Sequence, residues 1–485
     1  MSKFKSLAHY RLQSRSYELL PLKFEPLTKD RVVLTNAVGE HLVVQRQTLE
    51  ELVAHTLCSD DLIYPQLRAK HFLREHGDHA TLPLLALKTR TKHERLRHFT
   101  SLHLFVVTLR CDHSCPYCQV SRRSDDKAAF DMTRETADRA LELVFASPNP
   151  AIKIEFQGGE PLLNFDLIRY IVECAEATNH KEKRDLQFVI TTTLSLATDE
   201  ILEYCRDHRI YLSSSLDGPS ELHNKNRPRP GRDSYERFVT GLKRARDVMG
   251  KDSVSALMTT SPASLDKVTE IIDEYLSQGF DGIFLRALSP YGFAMKTKSF
   301  HAYNGQRWLE FYREGMDYIL DLNQRGVRFS EYFSTLLLTK ILSSNDPGYT
   351  DLMSPAGIGI AAVVFNYDGD VYASDEGRML KEMGDTSFCI GNVHANSYHE
   401  IFCAQNLLDA LEDSFPASSP MCTDCAFEPW CGADPVYHHA IFGDVVGRKP
   451  ESEFCQRIMG VLKYLLTAME DPAKLAVFRR WVNKC

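Results

Sequence analysis

Between residues 102 and 288 the sequence repeats one rhythm, a short run rich in Val, Ile, Phe and Thr followed by a stretch of helical apolar period. Few folds accommodate six such units. The runs fall at 102–109, 152–157, 186–193, 210–216, 254–260 and 282–288, and several are continuously apolar, as strands buried on both faces are. Between them Ala137, Ala140, Leu141, Val144 and Phe145 share one helical face. Ile168, Ile171, Val172 and Ala175 share another, and Val268, Ile271, Ile272, Tyr275 and Leu276 repeat the pattern. Such alternation implies right-handed βαβ crossovers onto a parallel sheet. Six units fall short of the eight that close a full barrel. The reading is an α/β fold, a partial (βα)6 TIM-like barrel over residues 100–326.

A chain of 485 residues exceeds what one core holds, so further domains flank the barrel. Residues 1–95 read as a small α+β module. In it, strands at 32–35 and 41–44 flank Asn36-Ala37-Val38-Gly39 as a hairpin. Thr48 and Glu51 then form a capping box, with Leu49, Leu52, Val53 and Leu57 on one helical face. Residues 345–460 are rich in Gly, Asp and turn signals and form a third unit, followed by a helix over 461–485. Composition is globular, at 44% hydrophobic and 25% charged residues. No apolar run is long enough to cross a bilayer, and the basic start lacks the apolar core of a signal peptide. A cytoplasmic protein without membrane contact is expected. A net charge of −8 argues against a nucleic-acid partner.

Thirteen cysteines in a chain of this kind favour metal binding or catalysis over disulfides. Cys111, Cys115 and Cys118 follow the first strand with C-x3-C-x2-C spacing, at the edge where active sites of parallel α/β folds collect. Three soft thiolates without a fourth differ from a closed zinc site and from four-cysteine iron–sulfur sites. A three-thiolate cube leaves one iron open to a ligand. One unit later, Gln157-Gly158-Gly159-Glu160-Pro161 ends the second strand. Its paired glycines let backbone approach a ligand, and Glu160 offers a charge partner to an ammonium group. A second set, Cys422, Cys425, Cys431 and Cys455, suits either an iron–sulfur cube or a tetrahedral zinc. Cys174 and Cys205 read as small buried thiols, and Cys58, Cys389, Cys403 and Cys485 have no ligand-like spacing. Cys389 stays open as a substitute ligand. His438-His439 reads as a surface or packed pair. Arg286, on the sixth strand, either reaches a bound carboxylate at the barrel edge or pairs with a structural acid.

The triad and the Gly-Gly-Glu-Pro run together resemble the radical S-adenosylmethionine (SAM) superfamily. Its cluster motif is matched by Cys111, Cys115 and Cys118 with the aromatic Tyr117, and its second motif by Gly158, Gly159, Glu160 and Pro161. Ser215-Leu216-Asp217-Gly218-Pro219, with His223 and Arg227, resembles a segment of the peptide-modifying branch. Where that branch often has Thr-Asn-Gly, this chain has Thr192-Thr193-Leu194. The resemblance implies a 4Fe–4S cluster on the triad whose open iron chelates SAM. Reductive cleavage then gives methionine and a 5′-deoxyadenosyl radical that abstracts a substrate hydrogen. With Arg286, the residues Tyr117, Gly158, Gly159, Glu160, Pro161, Thr192 and Ser215 make up the expected cofactor surroundings. Asp217 is the candidate catalytic acid or base.

Residues 345–460 resemble the SPASM extension of radical SAM peptide maturases, whose full pattern serves two auxiliary clusters. Ser354, Ser374 and Pro435 stand where three ligands are expected. In the family pattern these belong to the nearer cluster, whereas Cys422, Cys425, Cys431 and Cys455 belong to the farther. One auxiliary 4Fe–4S cluster is therefore implied. Cys118-Gln119-Val120-Ser121-Arg122 and Ser374-Asp375-Glu376-Gly377-Arg378-Met379-Leu380 look like the B-type maturases of the His-Xaa-Ser system. Leu34-Thr35-Asn36, Gly39-Glu40 and His71-Phe72-Leu73 are similar as well. The implied substrate is a ribosomally made precursor peptide with His-Xaa-Ser repeats. An electron donor of flavodoxin or ferredoxin type and a second radical SAM maturase are the implied partners. The N-terminal module either captures a leader peptide by strand addition at a sheet edge or packs against the barrel. The rival readings are a radical SAM enzyme for a small metabolite and a non-catalytic iron–sulfur scaffold subunit.

Overall fold

The structure, a computed structural model, describes residues 17–303, 305–343 and 345–483. Its centre is an eight-stranded sheet. In spatial order the strands are Val254–Leu257, Ile210–Ser215, Asp185–Thr191, Ala151–Gly158, Leu102–Thr108, Ala362–Phe365, Asp370–Tyr372 and Cys389–Asn392. Neighbours pair in parallel up to Ala362–Phe365, and the last two joints are antiparallel. The first five expected strands are all present. Phe105, Val107, Ile154, Phe156 and Ile190 are fully buried, as residues between a sheet and covering helices must be. The helices Arg134–Ala146, Phe165–Glu182 and Val268–Ser277 bury the apolar stripes read from the sequence. Thr133 and Thr198 start two of the covering helices by accepting from the Thr136 and Ile201 amides.

The two edges of the barrel differ from expectation. The sixth strand shortens to Gly282–Ile283 and pairs with Ser330–Glu331 in a separate parallel ribbon. Beyond it the chain is held by a side chain instead of a ladder, because the buried Glu331 carboxylate accepts from the Leu285 amide at 3.1 Å. One backbone bond, Thr260 N–H to the Arg286 carbonyl at 3.0 Å, ties the fifth and sixth units together. At the opposite edge Ala362–Phe365 joins Leu102–Thr108, so the expected third unit shares its sheet with the barrel. One contiguous core accordingly runs from Val33 through the barrel to Trp481. The helix expected over 461–485 is two, Glu453–Ala468 and Pro472–Val482, broken where Asp471 caps the second and Pro472 opens it.

In the N-terminal module the expected hairpin forms between Arg31–Thr35 and His41–Gln45, with Lys23–Pro26 on its other side. The capping box does not form. Strand pairing runs through Gln45 and the helix Arg46–Ala54 begins at once, so Thr48 and Glu51 lie inside it. Glu51 accepts from Gln47 instead, at 2.8 Å. Leu49, Leu52 and Leu57 are buried, but Val53 is 51% exposed and leaves the predicted face. The module packs on the C-terminal segment. Thr35 donates to the Ala426 carbonyl at 2.7 Å, Lys23 to the Cys422 carbonyl at 3.3 Å, and His41 meets the Trp430 ring edge-on at 5.3 Å.

Gly282 is where the short ribbon is most constrained, since a Cβ there would stand 2.7 Å from both the Ser330 carbonyl oxygen and the Tyr332 ring. Gly282→Ala is expected to destabilise the protein by about 2 kcal/mol, the scale of an overpacked core. Urea unfolding of the variant against wild type checks this, and an unchanged midpoint would contradict it.

Candidate functional site

Cys111, Cys115 and Cys118 lie on the loop that leaves the first barrel strand. The start of the loop is pinned by Arg110, whose buried guanidinium makes two 2.8 Å bonds to Asp131 and a third to the Leu163 carbonyl. The loop itself is held from outside. Ser114 donates its amide to Pro228 at 2.7 Å, and Phe293 donates to the Cys118 carbonyl at 2.8 Å. Burial pushes the Cys111 thiol up, and the charges of Glu160 and Cys115 add to this. Burial likewise pushes Cys115 up to about 12, with Cys118 adding to it. As bare thiolates these groups are unfavourable here; a bound cation reverses that and keeps them deprotonated.

The glycine pair has a use within the fold that its spacing did not announce. A Cβ on Gly158 would overlap the Thr108 carbonyl oxygen, and one on Gly159 would overlap that of Arg110. Gly159 and Glu160 donate their amides to those same carbonyls, at 2.9 and 2.8 Å. The close approach that needs glycine is thus to the strand bearing the triad.

Glu160, at the end of the second strand, is fully buried and its carboxylate is not free. One oxygen accepts from the Leu162 amide at 3.1 Å and the Thr192 hydroxyl at 2.7 Å; the other accepts from the amide and hydroxyl of Thr193 at 2.8 and 2.7 Å. Burial raises its pKa, and these four donors oppose the rise. The Thr192-Thr193 departure therefore has a structural use: both hydroxyls clasp Glu160 and tie the second strand to the third. Pro161 opens the short turn Pro161–Asn164 that follows.

Behind the triad, the Tyr117 hydroxyl donates to Asp217, whose carboxylate also pairs with Arg227 at 3.2 Å. The Arg227 guanidinium sits 5.5 Å over the Tyr117 ring. Asp217 accepts in addition from the Thr259 amide at 3.4 Å, and its own amide donates to His223. Asp217 thus has the surroundings of a buried counter-ion, and the Ser-x-Asp-Gly-Pro segment is a brace for the loop. Ser215, half-buried, ends the fourth strand opposite Leu257. Asp112, Ser195 and Arg229 form a further brace that sequence reading missed. Asp112 accepts from Ser195 at 2.7 Å, contacts His113 at 2.7 Å and faces Arg229 at 3.7 Å. No spacing rule marks such a contact between distant loops. Arg286 lies apart from these, with Tyr349, Glu376 and Asp351 as its electrostatic partners.

The second cysteine set also converges. Burial pushes the Cys431 thiol up, and Cys455, Cys425 and Cys422 all add to it; Cys455 is raised to about 11 by burial and then by Cys425 and Cys422. Two of the three positions where the resemblance expects further ligands lie at helix starts. Ser374 accepts from the Gly377 amide at 3.1 Å, and Pro435 opens the helix Pro435–Phe442 behind its cap, Asp434. His438 is buried against Ser452 and His439 pairs with Asp385, as packed histidines do. Cys389 is half-buried in its strand beside Tyr372, Cys58 and Cys403 are exposed, Cys205 is buried and Cys174 partly so. Cys485 lies outside the described residues.

Removing one member of the buried Asp217–Arg227 pair strands the other. Arg227→Ala is expected to cost about 3–5 kcal/mol, much of it recovered when Asp217→Ala is added. Denaturant unfolding of the two variants checks this; a single variant as stable as wild type would contradict it.

Residues 105–281 match the family model of the radical SAM superfamily. An uncharacterized protein of Methanocaldococcus jannaschii is 35% identical over 127 residues, which is 26% of this chain and 42% of that one, so the chain spans less than half the length of this relative. The cysteine-type anaerobic sulfatase-maturating enzyme of Clostridium perfringens is 23% identical over 66% of this chain and 84% of its own length. Among solved structures, that of anSMEcpe with bound AdoMet and the Cp18Cys peptide is 17% identical, with TM-score 0.63 over 79% of this chain and 99% of that one. SuiB of Streptococcus suis bound to the precursor peptide SuiA is 14% identical, with TM-score 0.52 over 90% of this chain and 98% of that one. With a cysteine loop and Gly-Gly-Glu-Pro segment locked at one sheet edge, the chain carries a radical SAM domain, the enzymatic core of that superfamily.

Proposed function

We propose that the chain is a radical SAM peptide maturase in which Cys111, Cys115 and Cys118 hold a 4Fe–4S cluster with an open iron. The observation that carries this is the division of seven ligand-type thiols into a set of three at the barrel mouth and a set of four in the C-terminal segment. Their spacing supports iron–sulfur cubes over zinc. Thiolates about 2.3 Å from a tetrahedral zinc would stand about 3.8 Å apart. Among the described residues no three of these thiols lie within 4.8 Å of one another, which suits a larger cluster.

When bound, cluster and SAM supply a reductive cleavage to methionine and a 5′-deoxyadenosyl radical that takes a hydrogen from the substrate. The chain's own residues hold that chemistry in place. Gly158 and Gly159 fix the second strand to the base of the triad loop, Glu160 with Thr192 and Thr193 fixes the third strand beside it, and Tyr117, Asp217 and Arg227 hold the loop from behind. Buried apolar side chains beneath, among them Leu109, Leu194 and Met258, keep water from the barrel interior.

A peptide substrate is supported by the two similar structures that hold one, and by a groove in this chain. A cavity of about 1000 Å3 runs between the edge strand His41–Gln45, the helix Thr81–Lys92 and the C-terminal helices. Arg31, Lys70, Lys88, Lys92, Lys340 and Arg479 line it, against Glu40, Asp346 and Glu470. An extended acidic leader segment fits an edge strand beside a basic wall. The same module packs on the second cysteine set, so capture and packing are both served. The His-Xaa-Ser reading is supported by contact between its two most similar strings: Arg378 donates to the Val120 carbonyl at 3.2 Å. A flavodoxin- or ferredoxin-type electron donor, a partner maturase and a cytoplasmic setting belong to the same proposal. No helix among the described residues is long and apolar enough to cross a membrane.

Anaerobic reconstitution should give about eight irons per chain, two four-iron clusters, and about four in the triad variant with all three cysteines changed to Ala. About twelve irons, or none lost on Cys422→Ala, would contradict the two-cluster arrangement. The reconstituted, reduced protein should form 5′-deoxyadenosine from SAM and change the mass of a co-expressed His-Xaa-Ser precursor. Lys88→Glu with Lys92→Glu should weaken precursor binding at least about tenfold, or about 1.4 kcal/mol. Unchanged affinity in a binding titration would remove the groove from the proposal.

A further inference from the structure

A second, smaller cavity of about 80 Å3 lies between the end of the sixth barrel strand, the helix Gly305–Gln324 and the C-terminal segment. Asp351, Glu376 and Asp434 line it, with Arg286, Arg457 and aromatic walls that include Tyr291 and Trp308. Each acid stands close to a position that lacks a cluster ligand, Asp351 shortly before Ser354, Glu376 shortly after Ser374 and Asp434 next to Pro435. Charge is out of balance here. Two guanidiniums meet the three carboxylates: Arg286 faces Asp351 and Glu376, and Arg457 faces Asp351 and Asp434 but is shared with Glu453 at 3.8 Å, so the acids outnumber the cations. Enclosed carboxylates in excess of their counter-charges are met either by protons or by a further cation.

A second observation points to a guest. The Tyr291 hydroxyl and the Trp308 indole N–H, on residues 1% and 3% exposed, have no hydrogen-bond partner among the described residues. The charges acting on the Tyr291 hydroxyl are those of Asp434, Glu376 and Asp351, which places it toward the same space. Buried polar atoms left single in this way call for an explanation; a cation supplies one for Tyr291, whose oxygen can accept from it, while Trp308 offers the site its ring. The ligand is not a metal ion. The carboxylate oxygens do not converge as metal ligands do; among the described residues the trio within 4.8 Å is Cys111, Asp112 and His113. Aromatic walls around separated carboxylates suit an organic cation. The cavity also borders the triad loop, because Phe293, just past Tyr291 and Gly292, donates its amide to Cys118 at 2.8 Å.

We propose that this cavity binds a cationic side chain of the peptide substrate, an ammonium, guanidinium or imidazolium group, among Asp351, Glu376 and Asp434 and against Tyr291 and Trp308. The cation site follows from the cavity; its peptide source rests on the maturase reading above. Burial pushes all three carboxyls up, and Asp351 adds to this at Glu376 and Asp434, as acids in excess of their counter-charges do. Arg286 then belongs to these acids and not to a SAM carboxylate.

Calorimetric titration of the full-length reconstituted protein with methylammonium, methylguanidinium and imidazole, and with acetate as the anionic probe, tests the site. Saturable binding of at least one cation, none of acetate, and loss of at least about tenfold in Glu376→Gln are expected. Acetate binding, no saturable cation binding to wild type, or equal cation binding in a Glu376→Gln protein with an unchanged melting temperature would each overturn it. Replacing each Lys, Arg and His of the precursor in turn should raise KM at one position, while no effect at any position would overturn the peptide source. Cation binding by a protein that modifies no precursor would sink the maturase reading and leave the cation site standing.

Discussion

The backbones of Thr108–Arg110 and Gly158–Gly159 approach so closely that no Cβ fits between them. The rest of the site depends on that contact. It brings the base of the cysteine loop against the Gly-Gly-Glu segment, and two backbone hydrogen bonds then hold the strand ends in register. Glu160 carries the lock one strand farther by accepting from Thr192 and Thr193. A loop with three thiols is intrinsically free to scatter them; here its entry and its back face are tied near two strand ends and its exit to the start of the helix Phe293–Lys296. A preorganised ligand set of this kind lowers the entropy that cluster binding must overcome.

The C-terminal segment is built into the same frame. Ala362–Phe365 extends the barrel sheet beside the strand that bears the triad. The second cysteine set lies against the N-terminal module through Thr35, Lys23 and His41. Ser374 and Pro435, where the resemblance expects thiolates, serve helix starts. The acids beside those positions, Asp351, Glu376 and Asp434, line the smaller cavity.

Much of this was legible in the sequence because its signals are local. Apolar runs and helical stripes located five of six barrel strands, and cysteine spacing located both thiol sets. The failures are those of long-range pairing. Nothing in 282–288 announces that the buried Glu331 side chain replaces a ladder partner, and nothing near 362 announces the free edge of the first strand. Thr48 and Glu51 had the right types for a cap, but strand pairing carried through Gln45 and left them inside the helix. The glycine pair was read as letting backbone approach a ligand, and its contact with the backbone of Thr108 and Arg110 was not foreseen. Asp351, Glu376 and Asp434 were passed over although each lies within three residues of a missing ligand. Acids flanking vacated ligand positions were the signal available.

The central claim is that SAM meets the three-cysteine set and leaves the four-cysteine set untouched. Electron paramagnetic resonance of the reduced, reconstituted protein with and without SAM tests it most directly. Two 4Fe–4S signals are expected, one of which shifts on SAM addition; the shifting signal is absent in Cys118→Ser and retained in Cys455→Ser. A SAM-dependent shift that survives Cys118→Ser and vanishes in Cys455→Ser would contradict it.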